Sequence, residues 1–316
     1  MRRLIKRRMS QPACLALSAC LALASLFATG HARAQDVTPP GYKLPPLTAV
    51  TPATPAKQLF GRVTTPAALG LNSIGFYAMG CLSNGVQLPI TGPSWQVMRL
   101  SRNRNWGNPV LIDFLERFSG KLPRTAGVPG ILVGDMAQPR GGPMITGHAS
   151  HQIGLDADVW YMPMPGHVLS TAERETMSAT MMVRSDRLDV NSSWTAQNMA
   201  VVRTAAQDPQ VERIFTNAAV KKAMCRDETG NRSWLSKIRP IYGHDYHFHI
   251  RLLCPGNSPT CKPQAPPPDG DGCGKDLDYW FSDAVLHPKL NPNPPPPHQT
   301  VMAQLPTVCR QVLAAP

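Results

Sequence analysis

Five of the nine histidines lie in two short stretches of the chain, about a hundred residues apart. The first stretch, 147–158, reads Gly-His-Ala-Ser-His-Gln-Ile-Gly-Leu-Asp-Ala-Asp, and the second, 243–251, reads Gly-His-Asp-Tyr-His-Phe-His-Ile-Arg. Imidazole nitrogens and carboxylate oxygens are common ligands of catalytic zinc, which keeps one position for water. The clustering therefore predicts a catalytic metal centre to which both stretches contribute.

The second stretch leads into a predicted strand at 248–253. Because side chains alternate between the two faces of a strand, His247, His249 and Arg251 share one face, and the apolar residues between them share the other. Two imidazoles on one face of a rigid element are well placed to work together at a metal.

The first stretch leads into another predicted strand, 155–161, in which Asp156 and Asp158 alternate with apolar residues. A turn before this strand would let His151 face the same centre as Asp158, seven residues later. With His249 arriving on a neighbouring strand, we predict that these three residues ligate one zinc ion.

The other polar residues of the two stretches have supporting roles in this interpretation. His247 is placed to take a proton from the attacking water, and His244 either shares that task or stabilises the oxyanion. His148 either ligates the metal or holds the surrounding shell, and Asp156 orients a ligand histidine. The four isolated histidines are predicted to be structural: His31, His167, His287 and His298.

Residues 1–34 have the form of a signal peptide. A basic segment at 2–8 precedes an apolar run at 13–28, and residues 32–34 read Ala-Arg-Ala, an A-x-A cleavage site. Residues 17–20, Leu-Ser-Ala-Cys, are an alternative lipoprotein-type site, which would cut the apolar run in its middle. The run is short for a bilayer and no later segment is apolar enough to span one. We predict an exported protein without a membrane anchor.

Loss of the leader and its six basic residues would take the formal net charge from +12 to +6. This mild basic excess suits an anionic polymer. The sequence has no basic run with interleaved aromatic residues, so nucleic acid is not an expected partner.

The length of 316 residues and the hydrophobic content of 42% are sufficient for a substantial core. Residues 35–72 read as a Pro/Thr-rich linker, 73–262 as the folded domain, and 263–316 as a Pro-rich tail. Strands are predicted at 95–100, 130–134, 155–161, 211–215 and 248–253, and helices at 110–118, 170–182, 196–207 and 218–225. We therefore expect an α+β fold, a small antiparallel sheet with flanking helices.

Cleavage of the leader leaves six cysteines: Cys81, Cys225, Cys254, Cys261, Cys273 and Cys309. An even number in an exported chain predicts three disulfides, although six cysteines allow fifteen pairings. No CxxC pair is present to support a zinc knuckle. The metal must therefore use histidine and carboxylate, and the cysteines can pin the tail.

Histidine, six residues and aspartate, followed far downstream by histidine-any-histidine, resembles the signature of the LAS metallopeptidases. Within this group, residues 147–158 most closely resemble the penicillin-insensitive murein endopeptidases. Their pattern also matches Gln-Val-Met-Arg-Leu at 96–100, Gly-Asp-Met at 134–136 and Gly-Asp-Gly-Cys-Gly at 270–274. The resemblance runs from about residue 73 to 309 and includes all six remaining cysteines.

The resemblance implies a periplasmic zinc enzyme that cuts the D-alanyl–meso-diaminopimelyl cross-link of peptidoglycan. By match of positions, the implied metal ligands are His148, His151, Asp158 and His249, and the implied catalytic histidines are His244 and His247. It also implies the disulfides Cys81–Cys309, Cys225–Cys273 and Cys254–Cys261. Some relatives have an Asp-x-x-His pair for a second metal, but 184–190 contains no histidine here, so one zinc ion is expected.

Two other classes of function remain open. A periplasmic metal-binding or delivery protein would need only the histidine clusters, and an inactive murein-binding scaffold would need only the fold. Neither Gly-x-Ser-x-Gly nor Ser-x-x-Lys occurs, so a serine acyl-enzyme has no support. Insensitivity to β-lactams, which acylate such a serine, follows from that absence.

Overall fold

The computed structural model of the protein describes residues 44, 46–47, 49–70, 72–289, 291–295 and 298–316. The predicted signal peptide, 1–34, lies outside the described residues. The described residues between 44 and 289, together with 298–316, belong to one compact unit. Residues 291–295 belong to a second unit and are exposed. None of the helices described is both long and apolar enough to span a membrane.

Short strands and helices alternate along the chain. The strands are β1 Ser73–Phe76, β2 Met79–Leu82, β3 Val86–Gln87, β4 Trp95–Val97, β5 Trp106–Gly107, β6 Ile131–Val133, β7 Asp156–Pro163, β8 Val211–Thr216, β9 Ile238–Pro240 and β10 His247–Leu252. The helices are α1 Ala56–Phe60, α2 Pro109–Thr125, α3 Thr171–Thr176, α4 Ala196–Ala206, α5 Ala218–Asp227, α6 Lys275–Asp278, α7 Asp283–Leu286 and α8 Val308–Ala314. Single 3-10 turns lie at Leu100–Arg102, Ser233–Lys237 and Tyr279–Phe281.

The central sheet has six strands in the order β4-β6-β7-β10-β8-β9. Its four inner strands are antiparallel, whereas the edge strands β4 and β9 pair in parallel with their neighbours. The predicted α+β class is confirmed. The sheet is mixed, however, because β4–β6 and β8–β9 are joined by long connections that contain α2 and α5, which permit parallel pairing.

Helices α2 and α4 pack on one face of this sheet. Asn108 caps α2 by accepting the N–H of Val110 (3.0 Å), and Pro109 occupies the first turn, where its missing N–H costs nothing. The apolar side of α2 packs in one cluster with the sheet residues Phe248 and Ile250, both fully buried. Each such side chain contributes about 1.5–3 kcal/mol by burial. The alternation in β10 thus directs its histidines to the opposite face.

A second, smaller core joins the two ends of the compact unit. Within the segment predicted as a linker, α1 is helical and its Phe60 is 1% exposed. Phe60 belongs to one cluster with Cys81 of β2 and with Cys309 and Val312 of α8. Packed structure therefore begins before residue 73, the predicted start of the domain.

The structure contains three disulfides, Cys81–Cys309, Cys225–Cys273 and Cys254–Cys261. These are the pairings implied by the family resemblance, and they are confirmed. The first bridge ties α8 to the β1–β2 hairpin, and the third closes the loop that follows β10.

Candidate metal centre

The pairing of β7 with β10 brings the predicted strand residues together. His249 lies directly opposite Asp158 in the antiparallel register. The distance between His249 Nδ1 and Asp158 Oδ1 is 3.5 Å, and both residues are buried. Because directly opposed residues in an antiparallel pair have neighbouring side chains, this contact follows from the register alone.

His151 reaches the same carboxylate from the loop before β7. Its Nε2 lies 3.5 Å from Asp158 Oδ1, and its side chain is fully buried. The backbone of His151 is left-handed (φ 65°), and its N–H donates to Asp156 Oδ2 at 2.9 Å. Asp158 Oδ1 therefore lies at the same distance from the imidazoles of His151 and His249.

His148 lies between two carboxylates. Its Nδ1 is 3.6 Å from Asp158 Oδ2, and its Nε2 donates to Asp135 Oδ2 at 2.9 Å. Asp135 in turn accepts hydrogen bonds from Arg104 (2.9 Å) and Arg102 (3.2 Å). A carboxylate on the far nitrogen of a histidine fixes the orientation and tautomer of the ring.

Sequence reasoning did not assign this role to Asp135. The available signal was its position: it lies two residues after the end of a short buried strand, β6, which pairs with β7, the strand that carries Asp158. A charged residue just after a buried strand is placed at the edge of the sheet, where it can reach side chains on the neighbouring strand.

Asp156 contacts the far side of His249. The distance between Asp156 Oδ1 and His249 Nε2 is 3.0 Å, although the two groups are not aligned as a hydrogen bond. Arg251, on the same face of β10, donates to both oxygens of Asp156 at 2.8 and 3.2 Å. Asp156 thus lies beside a predicted ligand histidine, as anticipated for an orienting residue.

The two predicted catalytic histidines lie side by side at the rim of the cluster. The ring centroids of His244 and His247 are 4.6 Å apart, and His247 Nε2 is 3.6 Å from Asp158 Oδ2. His244 also has a left-handed backbone (φ 57°), and its Nδ1 donates to the carbonyl oxygen of Tyr242 at 3.0 Å. All six predicted site residues are therefore brought into one cluster.

Burial keeps most of these imidazoles neutral. It lowers the pKa of His247 to about 3 and that of His249 to about 4, although Asp158 and Asp156 oppose the change. Burial also lowers the pKa of His244. The pKa of His148 is raised instead, because Asp158 and Asp135 together outweigh its burial. A cation bound at His148 would therefore compete with a proton.

Two properties of the cluster suit a metal ion: its nitrogen and carboxylate atoms lie close together, and several of them have no hydrogen-bond partner among the described residues. One ligand atom from each of His148, His151 and Asp158 can be chosen so that all lie within 4.8 Å of one another. Both ring nitrogens of His151 and Oδ1 of Asp158 are buried and have no hydrogen-bond partner in the described part of the chain. Buried polar atoms are rarely left unpaired, and nitrogen and carboxylate donors suit a divalent transition metal.

A cleft of about 270 Å³ opens beside the cluster. Asp158, His148 and His247 form part of its wall. The remainder includes the two cations Arg99 and Arg102, the carboxylate of Asp135, and aromatic and apolar side chains such as Trp160 and Tyr246. These three residues of the cluster are therefore reachable by a molecule that enters the cleft.

Comparison with known proteins gives a consistent result. The profile of the family described as "Penicillin-insensitive murein endopeptidase" matches residues 73–314. Proteins of that name from Haemophilus influenzae, Klebsiella pneumoniae and Yersinia enterocolitica are similar to this chain. They are 40%, 38% and 38% identical over 251, 253 and 271 residues, which cover 77%, 80% and 84% of this chain. The aligned parts are 82%, 89% and 94% of those relatives. The chain belongs to the penicillin-insensitive murein endopeptidase family.

Proposed function

We propose that the protein is a zinc-dependent endopeptidase that hydrolyses the D-alanyl–meso-diaminopimelyl cross-links of peptidoglycan in the periplasm. The observation that carries this proposal is the convergence of His151 and His249 on one carboxylate oxygen of Asp158, each at 3.5 Å, beside an open cleft. Family membership supports the substrate class, and the predicted leader supports export.

His151, Asp158 and His249 would hold the zinc ion. When bound, zinc lowers the pKa of a coordinated water to about 7 and polarises the scissile carbonyl group. His148 is the candidate for a further ligand, because its Nδ1 faces the same carboxylate at 3.6 Å. Asp135 behind His148 and Asp156 behind His249 would hold the two rings in their orientations.

His247 would accept the proton of the attacking water. Its lowered pKa leaves the ring neutral at pH 7, and Asp158 Oδ2 at 3.6 Å would stabilise the imidazolium that forms. A positioned base of this kind contributes about 10²–10⁴-fold to the rate. His244, next to His247 and less buried, is placed to stabilise the developing oxyanion or to share the proton transfer.

The cleft suits a peptide that carries carboxylates. Arg99 and Arg102 line it, and its aromatic walls, Trp160 and Tyr246, can cover the apolar part of the peptide. The guanidinium of Arg99 is held in place by the carbonyl oxygens of Arg174, Glu175 and Met177. Arg102 is paired with Asp135, so Arg99 is the cation of the cleft that we propose to attract a substrate carboxylate.

Purified muropeptide dimers provide the test. Cleavage to monomers should stop with a chelator and return with added zinc, and a β-lactam should leave it unchanged. A metal-delivery protein would bind zinc without cleavage, whereas an inactive scaffold would bind murein without cleavage. Either result would contradict the proposal, as would cleavage that continues in the chelated protein.

A further inference from the structure

Outside the cleft, two exposed tyrosines contact one partly buried tryptophan. Tyr242 and Tyr279 are 46% and 61% exposed, and they are the aromatic residues among the exposed large hydrophobic side chains of the described chain. Both contact the same ring, Trp280, with centroid distances of 5.1 and 6.0 Å. Isolated exposed apolar residues are common, whereas exposed aromatic side chains grouped around one ring are a candidate interaction surface. We call these three residues the aromatic ridge.

The ridge is held rigidly although it is exposed. Tyr279 and Trp280 lie in the 3-10 turn between α6 and α7, and this segment is anchored by the buried side chains of Leu277 and Val285. Just before α6, the disulfide Cys225–Cys273 ties the segment to α5.

Polar contacts reinforce this anchor. The buried amine of Lys221 on α5 donates to the backbone carbonyls of Leu235 (2.7 Å) and Asp271 (2.5 Å). Arg232 forms an ion pair with the carboxylate of Asp271 at 2.7 Å. A pre-organised surface loses little conformational entropy on binding. The exposed rings are therefore available to a ligand, because the disulfide and these polar contacts hold the backbone that carries Tyr279 and Trp280.

The ridge is continuous with the candidate metal centre. The carbonyl oxygen of Tyr242 accepts the hydrogen bond from His244 Nδ1 (3.0 Å), and His244 in turn lies against His247. Two residues of extended chain span at most about 7 Å, so Tyr242 lies close to the metal cluster. If the peptide of a polymer occupies the cleft, the part of the polymer next to that peptide would lie near the ridge.

We infer that the aromatic ridge binds the glycan strand of murein next to the peptide cross-link. This inference rests on the proposed function, in which the substrate is a sugar polymer that carries short peptides. One face of a pyranose ring presents C–H groups, which pack well against the electron-rich face of Tyr or Trp. The ridge therefore suits an uncharged sugar face and would raise the affinity for cross-links that are attached to intact strands.

Binding of peptide-free murein glycan strands to the zinc-loaded full chain tests the inference directly. Titration calorimetry should show weak, saturable binding, which Trp280→Ala and Tyr279→Ala each weaken by roughly fivefold. Leu253→Ala, at an exposed apolar residue after β10, is the control and should bind like the wild type. Thermal unfolding identifies any variant that does not fold, and the highly exposed Tyr279 keeps the test valid if Trp280→Ala fails.

A second measurement separates this inference from the proposed function. The rate for intact sacculi divided by the rate for glycan-free cross-linked peptides should fall roughly fivefold in the ridge variants. If the wild type cleaves neither substrate, the proposed function fails. If it cleaves both but does not bind glycan, or if the ratio is the same in the ridge variants as in the wild type, the ridge has no such role and the inference is overturned.

Discussion

The candidate metal centre combines side chains from strands with side chains from loops, and the two sets are positioned by different means. Asp158, His247 and His249 lie on β7 and β10, where backbone pairing fixes the register. His249 opposes Asp158 directly, so the register places their side chains next to each other, and Asp156 on β7 contacts the far nitrogen of His249. In this set residues of the two paired strands determine the geometry.

The loop-borne histidines, His148, His151 and His244, depend on special backbone conformations and outer partners. His151 and His244 have positive φ values of 65° and 57°, a conformation that costs non-glycine residues roughly 1–2 kcal/mol. His148 is oriented by Asp135. The strand side of this centre is therefore set by backbone pairing, whereas the loop side depends on left-handed turns and on hydrogen bonds such as that between His148 and Asp135.

Removal of a strand-borne ligand should have the largest effect. His249→Ala should lower zinc affinity by more than about 100-fold and abolish activity, because loss of an outer partner alone commonly costs 10–100-fold. Zinc content after dialysis against a weak chelator measures the loss. His167→Ala, on an exposed histidine, is the control. Retention of one equivalent of zinc by the His249 variant would remove this residue from the ligand set.

His247→Ala, on the same strand face, should separate catalysis from metal binding. Activity should fall by about 10²–10⁴-fold, the contribution of a positioned base. Zinc should stay near one equivalent, because His247 is not a required ligand in the proposed arrangement. The measurements are turnover of muropeptide dimers and metal content on one sample. Equal zinc loss in the His247 and His249 variants would show that their roles are misassigned.

The outer support of the loop side should show a smaller effect. Asp135→Asn keeps the shape of the side chain but removes the charge that faces His148, Arg104 and Arg102. Zinc affinity should fall by about 10–100-fold while circular dichroism remains native. Asp113→Asn, on the exposed side of α2, serves as the matched control. Unchanged zinc affinity in a folded Asp135 variant would show that His148 needs no outer partner.

The disulfide after β10 should have the smallest effect on stability. By the logarithmic dependence on loop length, closing the seven-residue separation of Cys254–Cys261 contributes about 2 kcal/mol, and the 228-residue separation of Cys81–Cys309 about 5 kcal/mol. Cys254→Ser/Cys261→Ser should reduce zinc affinity or turnover at a small thermal cost. Cys81→Ser/Cys309→Ser should lower Tm more, with little change in turnover of the folded fraction. If loss of the short bridge lowered Tm more and left zinc affinity and turnover unchanged, the short bridge would have no role in holding the metal centre.

Local sequence patterns predicted much of the strand side of the centre. Alternation in 248–253 gave β10 within one residue at each end and the correct face for His247 and His249. Asn108 and Pro109 marked the start of α2, and Ser170 with Glu173 forms the predicted capping box of α3. These features depend on neighbours in the chain, so they are visible in the sequence.

Features that depend on distant contacts were not predicted. The strand expected at 95–100 ends at Val97, and Arg99 turns left-handed (φ 58°). Helix α3 was expected to continue to 182 but ends at Thr176. The guanidinium of Arg99 donates to the carbonyl oxygens at this end of the helix, which satisfies acceptors that a further turn would otherwise have used. Likewise, nothing near Asp135 in the sequence indicates that its partner is His148. Such pairings are decided by tertiary structure.

The side chain of Arg140 links the loop of the candidate metal centre to the C-terminal segment of the chain. Arg140 begins the loop that carries His148 and His151, and its guanidinium donates to the carbonyl oxygens of Val312 (3.0 Å), Leu313 (2.8 Å) and Ala315 (2.6 Å). These acceptors are made about 160 residues later than the two histidines that they help to hold. Every proposed metal ligand is therefore synthesised before the C-terminal acceptors of Arg140. A chain that stops before residue 312 would possess all the ligands and the bond from Arg140 to Thr65 (3.0 Å), but it would lack these C-terminal acceptors.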